Sequence, residues 1–117
     1  MPGISIHVVD VARGKPASGM FVEVHALDDD IRRVVGTGCI GDDGTFSHQM
    51  NAGAGVQGGV HEVLLHAGDY FRLVGLVRDK PAFQEIVPLR FTMIDPREHY
   101  HLPVKITPWG LSVWRGA

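Results

Sequence analysis

His99 and His101 are separated by one residue, so in a β-strand both imidazoles fall on the same face. Such a pair can form half of a metal site, or supply a general base and a neighbour that tunes it. The structural alternative is one buried, hydrogen-bonded histidine with the other at the end of a sheet. The chain has seven histidines, the others being His7, His25, His48, His61 and His66. No His, Asp or Glu cluster stands at metal-ligand spacing, so no metal is expected. His7 belongs to a separate segment near the N-terminus, and nothing local shows where it falls relative to His101.

Other chemistries find less support. Ser5, Ser18, Ser47 and Ser112 lack the Gly-x-Ser-x-Gly context of a nucleophile elbow. Residues 51–59 are glycine-rich but lack the Gly-Lys-Ser/Thr ending of a phosphate-binding loop, and a flexible connection is expected there. Cys39, between two glycines, reads as a small buried hydrophobe. Trp109 and Trp114 read as core or interface packing. Arg115 follows Trp114 directly, and that pair suggests an anchored rather than frayed C-terminal tail.

The elements that must hold these residues are mostly strands. Residues 4–11 alternate and are rich in β-branched side chains. Further strands are expected over 20–27, 31–40, 45–49, 60–66, 85–94, 99–107 and 111–115. Residues 12–17 read as a turn or loop, and Gly41-Asp42-Asp43-Gly44 as a tight turn. Pro88 marks the 85–94 strand as an edge or an irregular one. One helix is expected, capped by Asp69, starting at Tyr70 and ending before Pro81, with Phe71, Val74 and Val77 on its apolar side. Eight short strands and one short helix define an all-β class, a small antiparallel β-sandwich.

Composition closes several alternatives. A chain of 117 residues is one domain's worth, so residues 1–117 are read as a single domain. Eleven Lys and Arg against thirteen Asp and Glu give a net charge of -2, which excludes the basic footprint of a nucleic-acid binder. No apolar run approaches the ~18 residues of a membrane span, so no membrane partner is expected. The N-terminal segment shows no secretory leader. With only one cysteine, no disulfide framework forms within the chain, and a cytoplasmic setting is expected.

Several segments, in order, resemble the transthyretin-like family, and within it the 5-hydroxyisourate hydrolase branch. Ile6-His7-Val8-Val9-Asp10 with Gly14-Lys15-Pro16-Ala17 is similar to the family's opening strand and turn. Gly41-Asp42-Asp43-Gly44 resembles its Asp-Gly turn, and Gly68-Asp69-Tyr70-Phe71 the entry to its single helix. The ending is the most specific piece. His99-Tyr100-His101-Leu102-Pro103 and Trp114-Arg115-Gly116-Ala117 resemble the hydrolases' His-Tyr-His-Val-Pro strand and Tyr-Arg-Gly-Ser tail. The resemblance implies a transthyretin-like (prealbumin-like) sandwich assembled as a homotetramer, a dimer of dimers with sites where the dimers meet. It also implies hydrolytic opening of a small heterocyclic substrate in urate breakdown, with no metal and no organic cofactor.

Carried over by position, the resemblance makes His7 and His101 the catalytic pair. It makes Arg115, Thr45 and Trp114 substrate-binding residues. Thr45 stands where the hydrolases have an arginine, and Trp114 and Ala117 stand where they have tyrosine and serine. A guanidinium offers fixed paired donors to a carbonyl or oxyanion, and threonine does not. His48 is a candidate substitute cation, although in an unbroken strand it would face away from Thr45. These departures leave the exact ring open. They also keep a second reading in view, a non-catalytic small-molecule binding protein that uses the central channel.

Overall fold

The computed structural model describes residues 3–117, so Met1 and Pro2, at the start of the expected 1–117 domain, lie outside it. Eight strands form, β1 Gly3–Asp10, β2 Lys15–Pro16, β3 Phe21–Asp28, β4 Ile31–Cys39, β5 Gly59–Leu65, β6 Val87–Met93, β7 His99–Thr107 and β8 Gly110–Val113. They make two four-stranded sheets, ordered β2-β1-β7-β8 and β4-β3-β5-β6. One α-helix, α1 Ala67–Leu73, connects β5 towards β6. The expected sandwich of about eight strands and one short helix is therefore what the chain forms.

Alternation builds the core. Ile4, Ile6 and Val8 of β1 point inward and are fully buried, while Ser5, His7 and Val9 face out. On β7, Tyr100, Leu102, Val104 and Ile106 point inward, leaving His99, His101, Pro103 and Lys105 on the other side. Phe46, Phe71, Met20, Met50 and Met93 fill the space between the sheets. Pro88 lies on β6, an edge strand, where a missing backbone donor costs least.

One strand pair departs from the antiparallel pattern. β1 and β7 run parallel, with Ser5 opposite His101 and His7 opposite Pro103. The two strands are far apart in sequence, so the intervening chain has ample length for the crossover that a parallel pair needs. This pairing decides which side chains meet on the outer face.

Several local expectations are corrected. The expected 45–49 strand is reduced to isolated bridges, Thr45 with His7 and Phe46 with Ile40, followed by a 3-10 turn over Gln49–Ala52. Phe46 and Met50 are both buried there, and the His48 ring accepts the Met50 amide at 3.0 Å, which turns the chain out of extended geometry. That turn also occupies part of the glycine-rich stretch read as a flexible connection. Lys15–Pro16, read as loop, pairs briefly with Val9 and Asp10. The helix starts three residues early, so Asp69 sits in its first turn instead of capping it and binds Arg72. Val74 and Val77 follow the helix yet still pack on the core. Cys39 is exposed, because Gly36 and Ile40 take the inward phase at the end of β4.

The helix is tied to β1 by one buried polar contact. The Tyr70 hydroxyl donates to Asp10 Oδ2 at 2.7 Å, and Asp10 is fully buried, with Arg13 as its ion-pair partner at 3.2 Å. Burial, then the Asp10 contact, push the phenol up to about 12, so it stays a donor throughout the neutral range. Tyr70→Phe is expected to cost about 1.5–3 kcal/mol, the worth of a hydrogen bond to a charged group. Urea unfolding measures it, and an unchanged midpoint would show the contact to be idle. Among the described residues, no helix is long and apolar enough to cross a membrane.

Candidate active site

The outer face of the β2-β1-β7-β8 sheet carries His7, His99 and His101. Ser5 Oγ lies 2.7 Å from His99 Nε2 and 2.7 Å from His101 Nδ1, so one hydroxyl joins both imidazoles. The register creates this, since the parallel pairing sets Ser5 directly across from His101. His101 Nε2 is the ring nitrogen not engaged by that hydroxyl.

His7 stands two residues beyond Ser5 on the same face of β1. Its Nε2 contacts the Asp43 carbonyl oxygen at 3.0 Å. A carbonyl only accepts, so Nε2 carries the proton and Nδ1 is the basic nitrogen of neutral His7. Gly44 fits against the ring. It has φ +86, and a Cβ there would sit 2.6 Å from His7 Nε2, so the tight turn needs glycine for both conformation and space.

The electrostatics separate the two expected catalytic histidines. The His101 pKa is lowered from the ordinary histidine value, chiefly by burial, then by the charges of His7 and His99, with Ser5 opposing. His101 is therefore mostly neutral at pH 7, the form a general base requires. Beside His7, Asp43 is held ionised. Its pKa is lowered by the Thr45 hydroxyl and backbone amide, with a smaller contribution from His7.

The remaining sequence-derived site residues divide. Thr45 is adjacent to His7 through the bridge, but its hydroxyl donates to Asp43 Oδ1 at 2.7 Å and its amide to the same oxygen at 3.0 Å. His48 does not act as a substitute cation beside Thr45, because it stacks on Phe46 and caps the 3-10 turn. Trp114 lies beneath the Lys105 ammonium, 5.8 Å from the ring centroid. The Arg115 guanidinium sits 3.9 Å over the Tyr100 ring and donates to Glu98 and to the His99 carbonyl.

Within one chain, then, Arg115 is turned to the Tyr100 side of the sheet and away from the imidazoles. It helps line a cleft of about 430 Å³ with Tyr100, Leu102, Phe91, Val113 and Trp114, between β6 and the tail. The tail still reaches the histidine face through its backbone. The Gly116 amide donates to the His101 carbonyl at 2.7 Å, and a Cβ on Gly116 would lie 3.0 Å from the His101 ring.

Two residues of this face, Ser5 and Asp43, do not emerge from sequence reasoning. A serine without an elbow motif is passed over as a nucleophile, whereas Ser5 acts as a bridge. The signal for it is the same alternation that places Ser5 with His7, but its partners follow from a long-range pairing. Among the described residues, no group of three or more His, Cys, Asp or Glu is arranged to hold a metal ion.

The sandwich of two four-stranded sheets with one helix is transthyretin-like. The chain belongs to the HIUase/Transthyretin family, whose model matches residues 4–116. It is 40% identical to 5-hydroxyisourate hydrolase 2 of Rhizobium meliloti (strain 1021), covering 97% of this chain and 95% of the relative. It is 37% identical to 5-hydroxyisourate hydrolase of Deinococcus radiodurans, covering 99% and 97%. Among solved structures it is similar to (S)-allantoin synthase, with a TM-score of 0.85 and 30% identity over 98% of this chain and 43% of that one.

Proposed function

We propose that the chain is a cofactor-free hydrolase that opens the ring of 5-hydroxyisourate or a closely related cyclic amide. The observation that carries this is the outer face on which His7 and a largely neutral His101 lie together, in a chain 40% identical to a relative of that name. His101 Nε2 removes a proton from water, and the hydroxide adds to the ring carbonyl carbon. The resulting tetrahedral oxyanion collapses with cleavage of the C–N bond. His7, held at Nε2 by the Asp43 carbonyl, is the proposed donor of a proton to the departing nitrogen.

Arg115 and Trp114 are proposed to shape the site by fixing the tail. In the proposed homotetramer this outer face meets a counterpart across the dimer–dimer contact, which shields the substrate from bulk water and brings other chains' tails near. A cytoplasmic setting is kept as part of the proposal.

The competing reading is a small-molecule binding protein without turnover. It is favoured by Thr45, whose only side-chain donor is already committed to Asp43, leaving no obvious donor there for an oxyanion. An assay with freshly generated 5-hydroxyisourate, following loss of its ultraviolet absorbance, separates the two. Protein-dependent acceleration is expected. Saturable binding with no acceleration by folded protein would favour the binding reading.

A further inference from the structure

Ser5 has one hydroxyl proton and two imidazole neighbours at equal distance. Oγ also has two lone pairs, so at least one ring donates to it and at most one accepts from it. If His101 is to use Nε2 as a base, its neutral form carries the proton on Nδ1. His101 Nδ1–H then donates to Ser5 Oγ, and the arrangement that completes a relay has the Ser5 O–H donating to His99 Nε2.

We propose that Ser5 and His99 form a proton relay behind His101, with Ser5 as the positioning residue that links them. The relay rests on the hydrolytic reading given above. As His101 Nε2 takes a proton from water, its Nδ1 proton passes to Ser5 Oγ, and the Ser5 hydroxyl proton passes to His99 Nε2. His101 ends neutral with its proton on Nε2. Ser5 ends as a hydroxyl, His99 as an imidazolium, and the hydroxide attacks the carbonyl. His99 then releases a proton to solvent.

The relay answers an electrostatic difficulty. Two charged imidazoles on one face repel, and the His7 charge already lowers the His101 pKa. By the register, His99 lies farther from His7 along the strand pair than His101 does, so moving the proton to His99 takes positive charge away from His7. The groups facing His101 fit this direction. From β1 they are Ser5 and His7, with ionised Asp43 behind His7, and from β7 it is His99. On the tail side, Glu98 and Arg115 pair next to the His99 backbone.

The test uses the full chain with Ser5→Ala, Ser5→Thr and His99→Gln, each first checked for fold by circular dichroism. Ser5→Ala is expected to lower kcat about 10- to 100-fold, part of the ~10²–10⁴ that a positioned base supplies, with KM nearly unchanged. The proton inventory in H2O/D2O mixtures is expected to be curved in the parent and linear in Ser5→Ala. Ser5→Thr, which keeps the hydroxyl, is expected to restore both. His99→Gln is expected to flatten the inventory. Parental kcat with a curved inventory in Ser5→Ala would overturn the relay.

A second readout needs no turnover. ¹⁵N spectra are expected to show His101 protonated on Nδ1 in the parent and redistributed in Ser5→Ala. An unchanged tautomer would overturn the relay on its own. If the parent opens no ring while the tautomer moves as expected, the hydrolytic reading fails and the bridge geometry survives.

Discussion

His101→Ala is expected to lower kcat for ring opening by about 10²–10⁴-fold, the usual worth of a positioned general base. The loss falls on kcat because Nε2 acts on water in the transition state, while the substrate ring keeps its other contacts. Residual rate would come from binding and from His7. The pH profile gives an independent check. Burial and neighbouring positive charge lower the His101 pKa, so the active, neutral form persists below the ordinary histidine value of about 6.5. The acid limb of the profile is therefore expected to fall at a pH below that value. His7→Ala is expected to lower kcat as well, without moving that acid limb. A His101→Ala variant that stays within tenfold of the parent, with the acid limb intact, would remove His101 from the base role.

Strand alternation makes most of the fold legible. β1 and β7 each separate a buried apolar set from an outward polar one, and the one-residue spacing of His99 and His101 is enough to put both on the same face. What alternation cannot state is which distant strands pair. The parallel β1–β7 register joins residues more than ninety positions apart, and Ser5 acquires its role only through it. The 45–49 segment departs from a strand for a local reason, since a capping histidine and two buried side chains outweigh extended propensity over so few residues. The helix begins early because its N-terminus is set by packing of Ala67 and Gly68, both buried, and not by the Asp69 side chain. Arg115 is legible as an anchor and not as a face, because the phase of a tail that bridges β7 through Gly116 depends on that bridge.

Thr45→Arg is expected to raise kcat/KM on 5-hydroxyisourate by about 10²-fold, the lower end of the ~10²–10³ that one oxyanion donor contributes. The position is suited to the change. Thr45 is bridged to His7, so a longer side chain starting there can reach the face that His7 and His101 share. The family resemblance implies an arginine at this point, and a guanidinium presents two donors in a fixed fork where threonine presents one. The gain is set at the lower end because Asp43 competes. Its carboxylate is ionised, already holds Thr45 at 2.7 Å, and will attract a guanidinium at the same place. Thr45→Arg combined with Asp43→Asn should therefore exceed the single change, provided that the Thr45 backbone amide still secures the turn. Steady-state kinetics on both variants decide the matter. A rise in both would mean that the parent retains the hydrolytic frame and lacks one donor. A fall in both, with turnover of the parent intact, would mean that the space beside His7 is fitted to a ring whose oxygen needs no cation there.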